Sequence, residues 1–209
     1  MTIADAPDRL LDAAGLLFAE HGYDAVSVRA VNKAAGMNPA AVHYHFGSKE
    51  ALATAVLERG LGDLWGGRLA ELDTLLAGPG PVRGERLAAL LVEPLATLAH
   101  DPGRRWLARL LTRIVAAGHP LPWHSAWSFP EPWTALLARA VPALPPEEAA
   151  LRFRLARDLV LHTYGDSAGP PPPAASVTAF VAAGLTAPFP PPDGAPPCPT
   201  SPRSSPPPG

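Results

Sequence analysis

The sequence predicts an all-α protein, with an N-terminal three-helix unit that contains a helix-turn-helix and a larger helical body behind it. Three observations carry this. Hydrophobic residues make up 47% of the 209 residues and aromatics only 7%, with Ala and Leu dominant, which favours helices. Apolar residues recur at three- and four-residue spacing through most of the chain. Between residues 27 and 46, two short helical patterns flank a glycine-containing turn, the spacing of a helix-turn-helix.

Asp8 to His21 reads as the first helix. Leu10, Ala14, Leu17, Phe18 and His21 form a stripe that Leu11 widens, and Gly22 ends it. Ser27 to Phe46 comes next. Val28, Val31 and Ala35 give its first helix a face to bury, and Gly36 suits a left-handed helix end. Asn38 is placed to cap the second helix, with Pro39 at its first position. Val42 and Phe46 then share the buried side, while His43, Tyr44 and His45 spread around the rest. Asn32 is expected to turn outward.

Charge singles out the same stretch. From Ser27 to Lys49 the chain has Arg29, Lys33 and Lys49 and no acidic residue, while the whole chain carries a formal charge of −2. A local positive field on a helix-turn-helix is the footprint of a DNA-contact surface. Ser48 caps a further helix, and Lys49 in its first turn opposes the helix dipole. An external phosphate there would explain Lys49; a lysine exposed for solubility is the alternative.

That helix runs to about Ala77, with Leu52, Val56, Leu64, Leu69, Leu72, Leu75 and Leu76 on its buried side. Gly60, Gly62, Gly66 and Gly67 point either to a soft joint or to close helix packing. After the break at 78–81, helices are expected over Arg83 to Ala99, with a bend at Pro94, and from Asp101 to about Ala117. Arg105, Arg109 and Arg113 line one face of the latter, either simply solvated or clamping an acidic ligand. Residues 118–132 read as a long loop whose Trp123, Trp127 and Phe129 line a pocket mouth or plug the edge of the core. Its His119 and His124 lack a third metal ligand.

Trp133 to Val141 is a short helix, and Glu147 and Glu148 open a stronger one to Tyr164. Ser176 is expected to cap the last helix, which carries Val177, Phe180, Val181 and Leu185 on one face. Leu151, Leu155 and Leu159 stack on the helix before it. So apolar a terminal pair needs cover, and a two-fold dimer through a four-helix bundle supplies it. The dimer interface is therefore assigned to Leu151, Leu155, Leu159, Val177, Phe180 and Val181. In the stretch 188–209, eleven of 22 residues are proline, so a disordered tail rich in polyproline II is expected.

The arrangement of Gly22, Tyr23, Ser27, Val28, Arg29, Ala35, Gly36, Tyr44, His45, Phe46, Lys49 and Leu52 resembles the N-terminal domain of TetR-family transcriptional regulators. The segment from Tyr44 to Leu52 is its most diagnostic part, and about the first sixty residues share the likeness. The resemblance implies a DNA-binding domain at 1–50 and an effector-binding and dimerisation domain at 51–187. It implies a homodimer on a double-stranded operator, a small-molecule effector, and a ligand-responsive repressor. Ala40, His43 and Tyr44 would lie nearest base edges, and Arg29 would reach base or phosphate. Ser27, Tyr44, His45 and Lys49 would hold phosphates. Asn38 belongs to the same surface, more as a cap than as a base reader. Trp65, Trp106, Trp123, Trp127 and Trp133 are the candidate pocket residues for an apolar or aromatic effector.

Other classes find less support. The single cysteine, Cys198, excludes an internal disulfide and a Cys-rich zinc site. No triad, paired carboxylates, P-loop, cofactor motif or metal constellation argues for an enzyme, and His43 and His45 point to different sides of their helix. The polar N-terminus and the lack of a long apolar run predict a cytoplasmic protein away from the membrane. The competing reading is a small-molecule sensor or protein-interaction module without specific DNA binding.

Overall fold

The structure is a computed structural model that describes residues 5–118, 130–166 and 169–189, with no description of the Leu69 side chain. Among the described residues there are nine helices and no strand. In order they are α1 (Ala6–His21), α2 (Val28–Ala34), α3 (Ala41–Phe46), α4 (Lys49–Ala77), α5 (Gly84–His100), α6 (Arg105–Ala116), α7 (Pro130–Ala140), α8 (Pro146–Gly165) and α9 (Ala174–Thr186). The all-helical expectation holds.

Boundaries differ from the sequence reading where prolines sit. Asp5 caps α1 and Pro7 lies in its first turn, so the helix starts before Asp8. Pro130 and Pro132 likewise open α7, because a helix's first turn asks little of their missing N–H groups. The last helix begins at Ala174 with Pro173 at its cap, so Ser176 lies inside it rather than capping it. Pro94 is buried within an unbroken α5. His119, Trp123, His124, Trp127, Cys198 and nearly all of the Pro-rich tail lie outside the described residues.

The head comprises α1, α2, α3 and the first turns of α4. Leu10, Ala14 and Phe18 of α1 pack over Val31 of α2 and Val42 of α3 in a continuous core that includes Leu52 and Val56 of α4. The body is α5 to α9, where α5 lies against α8 and α9, and α6 against α8. Helix α6 also touches α1 and α4, and so joins the body to the head.

Close approach, not a joint, explains the first glycine of α4, which runs as one 29-residue helix. A Cβ on Gly60 would come within 2.8 Å of Leu107 of α6, whereas Gly62, Gly66 and Gly67 meet nothing within 4 Å. Two body contacts are tighter. A Cβ on Gly165 would lie 2.0 Å from the Thr112 hydroxyl and 2.9 Å from the Ala108 carbonyl. One on Gly84 would lie 2.2 Å from the Thr186 methyl.

Candidate nucleic-acid interface

The site grows from the turn between α2 and α3. Ser27 caps α2, its hydroxyl accepting from the Ala30 N–H at 3.1 Å. Gly36 takes a positive φ of 64°, which L side chains rarely adopt, and turns the chain out of α2. The Asn38 side chain then accepts from the Ala40 N–H at 2.9 Å, and its carbonyl from the Ala41 N–H at 3.1 Å. Asn38 thus caps the turn that leads into α3, while the regular helix starts at Ala41 rather than at Pro39.

Asn32 overturns its expected outward orientation. It is only 1% exposed. Its amide donates to the Pro39 carbonyl at 2.6 Å, and its oxygen accepts from the Val42 N–H at 3.0 Å. Helical spacing held the signal: Val28, Val31, Asn32 and Ala35 fall at i, i+3, i+4 and i+7, one inward stripe.

Across this frame, α2 and α3 leave a run of largely polar side chains exposed. Ser27, Arg29, Lys33, Asn38, Ala40, His43, Tyr44 and His45 are all exposed, Tyr44 by 84%. Tyr44 and His45 meet edge to face at 4.9 Å. His43 Nδ1 lies 3.0 Å from the Gly47 carbonyl. That oxygen can only accept, so neutral His43 carries its proton on Nδ1 and turns Nε2 outward as an acceptor. Val31, Val42 and Phe46 face the core, as their spacing implies.

Lys49 follows this run. Its Nζ donates to the Tyr23 carbonyl at 2.7 Å and sits 4.1 Å from the centroid of the Tyr23 ring. Burial pulls the Lys49 pKa below its usual value, while nearby Asp24 and Glu50 oppose that. Burial, with help from Glu50, pushes the Tyr23 hydroxyl up to about 12. The ammonium has three N–H donors, so its internal bond leaves others to reach an external oxygen.

The three described candidate pocket tryptophans, Trp65, Trp106 and Trp133, sit in different surroundings. Trp133 is buried and stacks on Phe153 at 5.7 Å. Trp65 is also buried in the core. Trp106 is half-buried at the seam between body and head, lining a cleft of about 480 Å³ with Gly15 and Leu16 of α1, Val56 of α4 and Leu107. Among the arginines of α6, Arg113 lies 3.9 Å from Asp24, both largely exposed, while Arg105 and Arg109 are exposed.

The assigned dimer residues divide in two. Leu155, Leu159 and Phe180 are exposed by 59%, 39% and 69%, and Leu151 by 36%. Val177 and Val181 are instead buried within the chain, Val181 at the floor of the groove between α8 and α9. Leu155, Leu159 and Phe180 line an apolar groove between α8 and α9.

Comparison with known proteins bears first on the N-terminal domain. Residues 10–56 match the model described as "Bacterial regulatory proteins, tetR family". Residues 10–56 therefore form a domain of the kind found at the N-terminus of TetR-family regulators. It is 31% identical over 112 residues to the HTH-type transcriptional regulator UidR of Escherichia coli K12, covering 53% of this chain and 50% of that one. The chain spans about half the length of the curated relatives that it matches in this way. The fold extends the likeness to the body. The crystal structure of Mycobacterium smegmatis AmtR aligns over 88% of both chains with a TM-score of 0.56 at 24% identity. AibR, solved in complex with isovaleryl coenzyme A and operator DNA, aligns over 88% of this chain and 100% of that one, with a TM-score of 0.56 at 16% identity.

Proposed function

We propose that this chain is a TetR-family regulator, a homodimeric, ligand-responsive transcriptional repressor that reads a palindromic operator in double-stranded DNA. One observation carries the reading. The exposed residues of α2 and α3 include Arg29, Lys33, His43, Tyr44 and His45, and no carboxylate interrupts the chain from Ala25 to Lys49. In the major groove, Ala40, His43 and Tyr44 face base edges. The outward Nε2 of His43 accepts from an exocyclic amine of adenine or cytosine. Arg29 reaches a base or a phosphate, while Ser27, Tyr44, His45 and the spare donors of Lys49 hold phosphates and fix register.

The second copy covers Leu151, Leu155, Leu159 and Phe180. Such a pairing sets two α3 helices on one side of the dimer, and a palindrome mirrors its two-fold axis. The effector is an apolar or aromatic small molecule bound among the body helices, with Trp65 and Trp133 as wall residues. Its signal passes through α6, which reaches α1 by Trp106 against Gly15 and α4 by Leu107 against Gly60. Release requires that the effector bind one spacing of the heads more tightly than the other. On this reading residues 1–50 form the reading head and 51–187 the body, with α4 running across that border. A cytoplasmic location accords with this role, and no described helix is long and apolar enough to cross a membrane.

Selection of genomic fragments by the purified chain at two salt concentrations tests the proposal. Recovery of one palindromic sequence, lost on Arg29→Ala or His43→Ala, is the expected result. Sequence-blind, salt-sensitive binding, or none, would overturn it and favour a sensor or protein-interaction module.

A further inference from the structure

We propose that Asn32 is the positioning residue of the reading helix, setting how well the protein discriminates between sequences rather than how strongly it holds DNA in general. The inference rests on the DNA-binding reading above and adds a residue that lies behind the contact face.

Helix α3 lacks a cap of its own. Ala40 stands at the N-cap position and makes no side-chain hydrogen bond there. The first N–H groups of a helix have no partner within it. That of Val42 is taken by Asn32 Oδ1, ten residues back along the chain and on the preceding helix. The first helix of the motif therefore caps the second from outside.

The other end of the same side chain closes the frame. Its amide donates to the Pro39 carbonyl, and its own backbone carbonyl accepts from the Met37 N–H at 2.9 Å. One residue thus ties Met37, Pro39 and Val42 to α2. The Asn38 bonds to Ala40 and Ala41 are local to the turn and refer α3 to nothing on α2. At 1% exposure, with donor and acceptor both engaged, Asn32 has no competing water to release it.

Base contacts need the reading helix placed to within the tolerance of a hydrogen bond. Phosphate contacts do not, since long basic side chains and a continuous line of charge absorb small shifts. A fault in the cap should therefore blur base preference and leave charge-driven binding in place. A side chain that only stabilises the fold would lower both together.

The test compares the full chain with Asn32→Asp, which keeps the size and the acceptor toward Val42 but loses the donor toward Pro39, and with Asn32→Ala, which loses both. The probes are the duplex recovered by fragment selection and a shuffled duplex of the same composition. The expected result for both variants is a discrimination ratio about tenfold lower, with an unchanged salt slope for Asn32→Ala and a broadened base preference on reselection. A ratio within threefold of the unmodified protein overturns the proposal, as does an equal loss on both duplexes. If neither variant folds, amide exchange on the unmodified chain decides. Val42 must be protected beyond Tyr44, whose N–H bonds to the Ala40 carbonyl at the N-cap, and exchange as fast as a frayed helix end overturns the proposal. If the unmodified chain selects no sequence, the DNA-binding reading fails and takes this one with it. If it selects one and the ratio is unmoved, only the role of Asn32 falls.

Discussion

In the head, side chains that reach for backbone locate the short helices. Arg9 of α1 donates to the Ala35 carbonyl behind α2, Asn32 of α2 grips both sides of the start of α3, and Lys49 of α4 donates to the Tyr23 carbonyl before α2. In the body, longer helices are located first by contact, and bonds such as those from Arg152 of α8 to the Leu185 and Ala187 carbonyls add to it. Gly84 admits Thr186 of α9, and Gly165 admits Thr112 of α6, whose hydroxyl also donates to the Leu161 carbonyl at 2.9 Å. The difference follows from length. Helices of 7 and 6 residues present too little apolar face to define an angle by packing, whereas α5 buries eleven of its 17 residues. Directional bonds give the head a geometry that its small core could not.

The sharpest way to break this comparison is to crowd the body. Gly165→Ala drives a methyl against the Ala108 backbone, which cannot swing aside, and should cost about 1–3 kcal/mol in urea unfolding. Gly66→Ala, in open space on an unbroken helix, should instead stabilise by about 0.5–1 kcal/mol. Equal effects would mean that close approach does not organise the body. In the head, Lys49→Met keeps the stem and removes the ammonium. It should lower stability by about 1 kcal/mol, by loss of a partly exposed charged hydrogen bond. It should also reduce the salt slope of DNA binding by about one. An unchanged melting temperature would show that the Tyr23 contact does not brace the head.

The smallest effect concerns pH. The hydrogen bond from Arg86 holds Glu71 below its ordinary value, against a modest opposing effect of burial. The folded carboxylate then binds fewer protons than the unfolded one as pH falls below about 4.5, so its contribution, present above that value, is lost on acidification. Glu71→Gln should flatten the acid limb of the melting-temperature profile between about pH 5 and 3, leaving the alkaline limb alone. An unaltered acid limb would show that this half-exposed pair between α4 and α5 contributes nothing.

How much was legible in the sequence follows the same division. Helix stripes, the Ser48 cap and the exposed residues of α3 could be read directly, because spacing and cap chemistry are local. Asn32 was misread because residue type was given more weight than position; its register pointed inward. The opening of α7 was hidden by prolines, which suggest a loop yet also suit a helix's first turn. Leu155 and Val181 look alike in a stripe, and only the packing of α9 on its neighbours decides which apolar face this chain covers itself. Of the tryptophans, Trp65 and Trp133 are buried and Trp106 is half-buried in a separate cleft, and residue type alone does not tell a core aromatic from a pocket wall.

The unbroken course of α4 makes it a lever. A helix rises about 1.5 Å per residue, so Gly60, pinned beside Leu107, lies roughly 16 Å from the end that carries Lys49. A tilt of about 5° around that pivot moves the head end by roughly 1.4 Å, comparable to the slack of a hydrogen bond, and the far arm, roughly 26 Å long, moves further the opposite way. Small displacements at the body end therefore reach the reading face diminished in size but still large enough to matter.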